Sequence, residues 1–355
     1  MKLSEIKIFF QSELSELYSR SEVEELFTIF AEHFLNLNKI ELRHSLENEL
    51  PESDSKKFSE AISELKTGKP YQQILGETEF YGMKFFVNEN VLIPRPETEE
   101  LLELAIKKIQ DSRFEMQVSK VLDSAQPENL QPERLQEPQP DNPQTIKLSN
   151  HQTLKLPNPQ TLKLSNSQTL KLPNSQNLKL SNSPIKILDI GTGSGIIPIA
   201  LKKFFPEAEV SAIDISKEAL EIARKNAEFH KTEITFINKD YLNEVFDSAQ
   251  VDQEIYDVII SNPPYIGIEE NPEIEDSVKG FEPNLALFSP TSDALIFYKK
   301  IAEDCKDHLA ENGLLFLEIN QKLGKETLEL FQNSFSEVEL LKDISGNDRM
   351  IFGRK

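Results

Sequence analysis

The chain has a single cysteine, Cys305, among its 355 residues. That excludes an internal disulfide and fits a reducing cytoplasm. Cys305 sits in a helical pattern and reads as packing rather than as a nucleophile. No apolar run approaches the length of a membrane span. The first residues, Met1-Lys2-Leu3-Ser4-Glu5, turn acidic early and lack the apolar stretch of a secretory signal. The histidines (His33, His44, His151, His230, His308) are scattered without ligand spacing, so no metal is expected. Basic charge is scarce: 39 Lys and Arg against 60 Asp and Glu give a formal net charge of -21. Grip on a phosphate backbone needs the opposite balance, so direct nucleic-acid binding is not expected. Hydrophobic content is only 38%, with 20 prolines, which hints at a non-globular portion.

Residues 1–70 read as a small acidic bundle of helices. Phe9, Phe10, Leu14 and Leu17 recur at helical spacing, as do Val23, Leu26, Phe27, Phe30 and Phe34. Ser21 with Glu24 has the spacing of a capping box. The bundle carries no evident chemistry and reads as a structural or docking domain. Residues 71–93 read as a linker containing a β-hairpin, Glu79 to Val87, with Gly82 near its turn. Then Pro94 and Pro96 hold Arg95 extended, and a helix with an acidic first turn begins.

From about residue 111 to 184 the composition changes. An octad repeats over 142–149, 150–157, 158–165, 166–173 and 174–181. Each copy has few aliphatic residues and no glycine. It offers too little apolar surface to offset chain entropy, and the expectation is an unfolded low-complexity insert, with a marginal β-stack or a sticky tether as the alternative. The bounds place it within a domain spanning 94–355.

After the insert, strands and helices alternate. Strands are expected at Ile185–Ile190, Glu209–Asp214, Ile234–Asn238, Tyr256–Ser261, Gly313–Ile319, Glu337–Leu341 and Met350–Gly353. Helices fall between the early ones, so the fold class is α/β, a parallel sheet wound on both faces. The last two strands have no helix between them, so one of them runs antiparallel.

Two strand ends carry chemistry. The first leads into Gly191-Thr192-Gly193-Ser194-Gly195, a loop that lets backbone approach a ligand and opens a helix. A dinucleotide fingerprint has its third glycine where Ile196 stands. The loop therefore suits a nucleoside without pyrophosphate, and Asp214 ends the next strand where a ribose-binding carboxylate belongs. The strand Tyr256–Ser261 ends in Asn262-Pro263-Pro264-Tyr265. Two prolines cannot continue a strand, so the chain leaves the sheet at the edge where ligands bind. The side-chain oxygen of Asn262, the stiff proline backbone and the flat face of Tyr265 form a clamp for a planar group bearing NH₂.

This set resembles the class I S-adenosyl-L-methionine-dependent methyltransferases with an Asn-Pro-Pro-Tyr motif. VLIPRPETEEL at Val91–Leu101, preceded by EFYGMKFFV, is similar to the release factor glutamine methyltransferases. The resemblance spans the chain apart from the insert. It implies a Rossmann-like sheet behind a small helical domain, with S-adenosyl-L-methionine as co-substrate. It also implies that Gly191 to Gly195, Asp214 and Asn262 bind the donor, that Tyr241 lies against its adenine, and that Asn262 to Tyr265 hold the substrate glutamine, with Asn262 and Pro263 catalytic. The implied partner is a class 1 peptide-chain release factor, met by a cytoplasmic monomer. Asp293-Ala294-Leu295 departs from the family's usual Asp-Gly-Leu, and the octads are foreign to it. Three alternatives stay open: a glutamine on a ribosomal protein, an adenine or guanine amine in nucleic acid, and a non-catalytic docking module. Arg95 and Glu97 are equally readable as donor contacts or as surface charges.

Overall fold

The computed structural model describes residues 1–124, 162–163, 169–170, 184–244, 254–267 and 280–355. The chain divides into two compact units, Met1–Ile106 with Ile185–Lys355, and Lys107–Pro184.

The first unit opens with five helices: α1 (Leu3–Leu14), α2 (Arg20–Leu35), α3 (Lys39–His44), α4 (Glu52–Leu65) and α5 (Tyr71–Leu75). Their apolar stripes meet in one core, in which Phe27 stacks on Phe58 at 5.9 Å between ring centroids and Phe10 meets Phe27 edge-on at 5.8 Å. The box that starts α2 is Ser19 with Glu22, two residues before the expected Ser21 and Glu24. Glu22 accepts from the Ser19 N–H at 2.7 Å. Both pairs have the right spacing; the earlier one puts Tyr18 and Val23, the positions that flank such a box, into the shared core.

Strands β1 (Glu77–Phe80) and β2 (Met83–Phe86) form the expected hairpin. Tyr81 and Gly82 between them both have positive φ, 51° and 68°, which is the geometry of a tight two-residue hairpin turn. The next helix, α6 (Pro96–Ser124), runs past residue 111, where the insert was expected to begin. No proline or glycine interrupts the sequence until Pro127, so nothing there stops a helix. The second unit holds the end of α6 and a short antiparallel pair, β3 (Leu162–Lys163) with β4 (Thr169–Leu170). The rest of the octad stretch lies outside the described residues, and so does the expectation that it stays unfolded.

The sheet follows as β5 (Lys186–Ile190), α7 (Ile196–Phe204), β6 (Glu209–Asp214), α8 (Lys217–His230), β7 (Thr235–Asn238) and β8 (Tyr256–Ser261). After these come α9 (Asn284–Leu287), α10 (Ile296–His308), β9 (Leu309–Glu318), α11 (Gly324–Phe331), β10 (Glu337–Lys342) and β11 (Asp348–Arg354). The strand order is β10-β11-β9-β8-β5-β6-β7, and β11 alone runs against its neighbours. The chain winds outward from β5 to β7 and then returns to pair β8 with β5. The order therefore reverses between β5 and β8, and the crevice at their carboxyl ends is the natural ligand site of such a sheet.

Candidate active site

Three glycines shape the loop after β5. Gly191, Gly193 and Gly195 all have positive φ, 75°, 54° and 78°. A side chain at Gly195 would also meet the Cα of Ala223 at 3.2 Å, so this glycine brings α7 close to α8. The Gly191 and Thr192 N–H groups both donate to the Ile213 carbonyl, at 2.9 and 3.0 Å. Asp214, at the end of β6, then ties the loop down: its Oδ2 accepts from the Gly193 N–H at 2.7 Å and its Oδ1 from the Ser216 N–H at 2.9 Å. Burial raises the Asp214 carboxyl above the usual range, and these N–H donors oppose that rise.

Beneath the loop lies Asp189, fully buried, with no hydrogen-bond partner for either carboxylate oxygen among the described residues. Burial pushes it up to about 7; Thr192 favours the charged form, but its Oγ1 is likewise buried and makes no hydrogen bond of normal geometry. Asn226 on α8 braces the loop from behind. Its side chain exchanges hydrogen bonds with the Phe86 backbone at 2.7 and 3.0 Å and donates to the Ser194 carbonyl at 2.9 Å.

The second strand end is fastened to the first. Ser261 Oγ donates to the Ile190 carbonyl at 2.6 Å across the β5–β8 pair. Asn262 follows, its Nδ2 donating to Thr98 Oγ1 on α6 at 3.1 Å. Thr98 in turn donates to Glu318 Oε2 at 2.7 Å, and the Tyr265 hydroxyl donates to Glu318 Oε1 at 3.2 Å. The Tyr265 carbonyl is held by Asn320 Nδ2 at 3.1 Å. Among the described residues, neither Asn262 Oδ1 nor the Pro263 carbonyl accepts a hydrogen bond. Between the strand ends opens a cavity of about 480 Å³, a size suited to a nucleoside-sized ligand.

Two families match the sequence, one ahead of the octads and one starting within the last of them. The PrmC N-terminal domain family matches residues 8–76, and the Methyltransferase small domain family matches residues 175–276. A release factor glutamine methyltransferase from Flavobacterium psychrophilum is 38% identical over 99% of this chain and 98% of its own length. Those from Bacteroides thetaiotaomicron and Streptococcus pneumoniae are 31% and 33% identical, over 98% and 99% of this chain and 99% and 98% of theirs. The chain belongs to the release factor glutamine methyltransferase family. It has that family's class I methyltransferase sheet behind a helical N-terminal region, and its activity is S-adenosyl-L-methionine-dependent methylation of protein glutamine.

Within this family member, Gly191, Thr192, Gly193, Ser194, Asp214, Tyr241, Asn262, Pro263 and Pro264 all border the cavity. Gly195 and Tyr265 do not. Gly195 is the N-cap of α7, and Tyr265 packs on the sheet core with its hydroxyl on Glu318. Tyr241 borders the cavity while its hydroxyl donates to Asp304 Oδ2 at 2.7 Å, and burial raises the phenol well above its ordinary range. Neither Arg95 nor Glu97 borders the cavity; Arg95 pairs with the buried Glu282 at 2.5 Å. The residues that motif reading missed are Asp189, Thr98 and Glu318. An acid ending an apolar strand, as Glu318 ends Leu314-Leu315-Phe316-Leu317, was the available signal. Among the described residues no group of three or more His, Cys, Asp or Glu is arranged to hold a metal.

Proposed function

We propose that this protein methylates the side-chain amide nitrogen of the glutamine in the Gly-Gly-Gln motif of class 1 peptide-chain release factors. The observation that carries this reading is a pair of open acceptors, Asn262 Oδ1 and the Pro263 carbonyl, on a stiff turn that borders the cavity. A primary amide has two N–H bonds to offer such a pair. The cavity also fits S-adenosyl-L-methionine. Asp189 is a buried carboxylate without a partner, suited to a cationic end of the donor, and the Gly191–Gly193 backbone leaves room for close approach. Asp214 keeps a lone pair on each oxygen for ribose hydroxyls, and Tyr241 offers a flat wall to the adenine.

Bound S-adenosyl-L-methionine supplies an electrophilic methyl group on a sulfonium sulfur. The amide nitrogen is a poor nucleophile because its lone pair is delocalised. Asn262 Oδ1 takes one N–H, the Pro263 carbonyl takes the other, and the nitrogen face turns toward the methyl. As the N–C bond forms the S–C bond breaks, its electron pair stays on sulfur and the demethylated donor leaves as a neutral thioether. Positive charge passes to the N–H groups, both hydrogen bonds strengthen, and the extra N–H proton is lost to water after transfer. The contribution is orientation and electrostatics rather than proton abstraction. The N-terminal bundle is read as a docking surface for the release factor, in a cytoplasmic monomer that needs no metal or nucleic acid.

The test is mass spectrometry of a release factor, a ribosomal protein and DNA after incubation with labelled donor. The label should appear on the release-factor glutamine; label confined to either other substrate overturns the reading. In single turnover, Asn262→Ala should lower kcat roughly 10²-fold, as for a lost transition-state hydrogen bond, with donor affinity much less affected. Methylation by this variant at the wild-type rate would show that the turn is only a turn.

A further inference from the structure

Glu318 takes no part in the chemistry above, yet it is almost completely buried at the carboxyl end of β9. It stands beside the clamp because Ser261 and Leu317 are register partners, which sets Glu318 next to Asn262 across the β8–β9 pair. We infer that Glu318 is a positioning residue that acts through Thr98 to decide which end of the Asn262 amide faces the substrate. The inference rests on the reading of Asn262 Oδ1 as the acceptor of the substrate amide.

A threonine hydroxyl has one hydrogen to give. Thr98 gives it to Glu318 Oε2 at 2.7 Å, so Thr98 Oγ1 has only lone pairs left for its other neighbour. That neighbour is Asn262, which must present Nδ2, as it does at 3.1 Å. The opposite end of the amide, Oδ1, is thereby left for the substrate. An ionised carboxylate can only accept, and Glu318 accepts from both Thr98 and Tyr265. A protonated Glu318 can donate to Thr98, and Thr98 is then free to donate to Asn262 Oδ1. The amide turns over and sets its NH₂ against the NH₂ of the substrate.

The surroundings make this carboxyl sensitive near neutrality. Thr98 and Glu97 face it from α6, Tyr265 from the turn after β8, Arg349 from β11, and the Tyr298 hydroxyl from α10 bonds its backbone carbonyl. Burial pushes Glu318 up to about 7; the Thr98 hydrogen bond, the Arg349 charge and the Tyr265 hydroxyl oppose the rise, and Glu97 adds to it. The folded protein therefore holds the working, ionised form above about pH 7 and loses it as pH falls through that value.

The test is single-turnover methylation of a release factor between pH 5.5 and 9 with saturating donor, alongside donor Kd by calorimetry. Wild-type turnover should fall about tenfold per pH unit below the Glu318 transition, as for one essential base form. Glu318→Gln has an amide that bonds Thr98 with either end, so it should turn over at least about 10-fold more slowly and without that pH limb. Thr98→Val should behave alike, and Thr98→Ser, which keeps the hydroxyl, should restore rate and limb. Donor Kd close to wild type shows each variant folded. Asp189 titrates in the same range but lies beneath the glycine loop, where it is proposed to serve the donor, so its limb belongs to donor affinity and should persist in Glu318→Gln. The inference is overturned if Glu318→Gln and Thr98→Val keep the wild-type rate and limb while Asn262→Ala is impaired. If Asn262→Ala is unimpaired as well, the amide-acceptor reading falls and takes this inference with it.

Discussion

The N-terminal bundle and the carboxyl edge of the sheet are both buried, but with different side chains. Between residues 1 and 70 every buried residue is apolar, from Leu3 to Leu65. Its helix starts are closed locally, by Ser19 with Glu22 and by Asn38 with Glu41. At the carboxyl ends of β5, β8 and β9 the buried set includes Asp189, Thr192, Ser261 and Glu318. Burying such groups costs free energy unless each finds a partner, and two of the four have none among the described residues. A chain accepts that cost where a ligand makes up the missing contacts. The bundle is built for its own stability, and the sheet edge for something that arrives later.

The largest effect that would sharpen this contrast is Phe27→Ala. Phe27 is buried in the middle of the bundle's aromatic cluster, so its removal should cost about 3–5 kcal/mol of stability in denaturant unfolding. Donor affinity, measured where the variant is still folded, should stay at the wild-type value. A donor site that weakens in a folded Phe27→Ala would mean that the two regions do not divide the work as described.

Asp214→Ala is the counterpart at the sheet edge. It removes the proposed ribose contacts and also frees the Gly193 and Ser216 N–H groups that now end on the carboxylate. Calorimetry should show donor binding weaker by roughly 1.5–3 kcal/mol, the range of charge-assisted hydrogen bonds. Unchanged affinity would remove Asp214 from the donor site.

How much of this could be read from residues alone follows the same division. Strand β8 begins and ends where the apolar run Tyr256–Ser261 does, and its end was visible because two prolines follow. The glycine loop was visible because positive φ at Gly191, Gly193 and Gly195 demands that residue type. Both signals are local. The support beneath Asn262 was not legible, because Thr98 lies 164 residues from Asn262 and 220 from Glu318 in the chain. No spacing rule links residues that only a folded sheet brings together. The start of α2 was misplaced for the opposite reason: two overlapping Ser–Glu pairs offered the same local signal, and tertiary packing of Tyr18 and Val23 decided between them. The end of α6 was misplaced because composition changes before any helix breaker appears.

The smallest effect expected has the opposite sign and bears most directly on the comparison. Asp189→Asn replaces a buried carboxylate that has no partner in the folded chain. Its folded-state pKa, up to about 7, lies above the unfolded value of 3.8, so the folded state holds the proton more tightly. The stability linked to that proton is fully present below about pH 4 and is lost progressively as pH rises through about 7. The variant cannot ionise there and should not show this loss. At pH 8, without donor, it should therefore melt later than wild type, by about 1 kcal/mol, because the new amide still needs partners of its own. The two proteins should converge below pH 4. With donor present the order should reverse, since the amide no longer offers a charge to a cationic group. If Asp189→Asn is instead less stable than wild type at pH 8 without donor, Asp189 is part of the scaffold, and the sheet edge does not differ from the bundle in the way argued here.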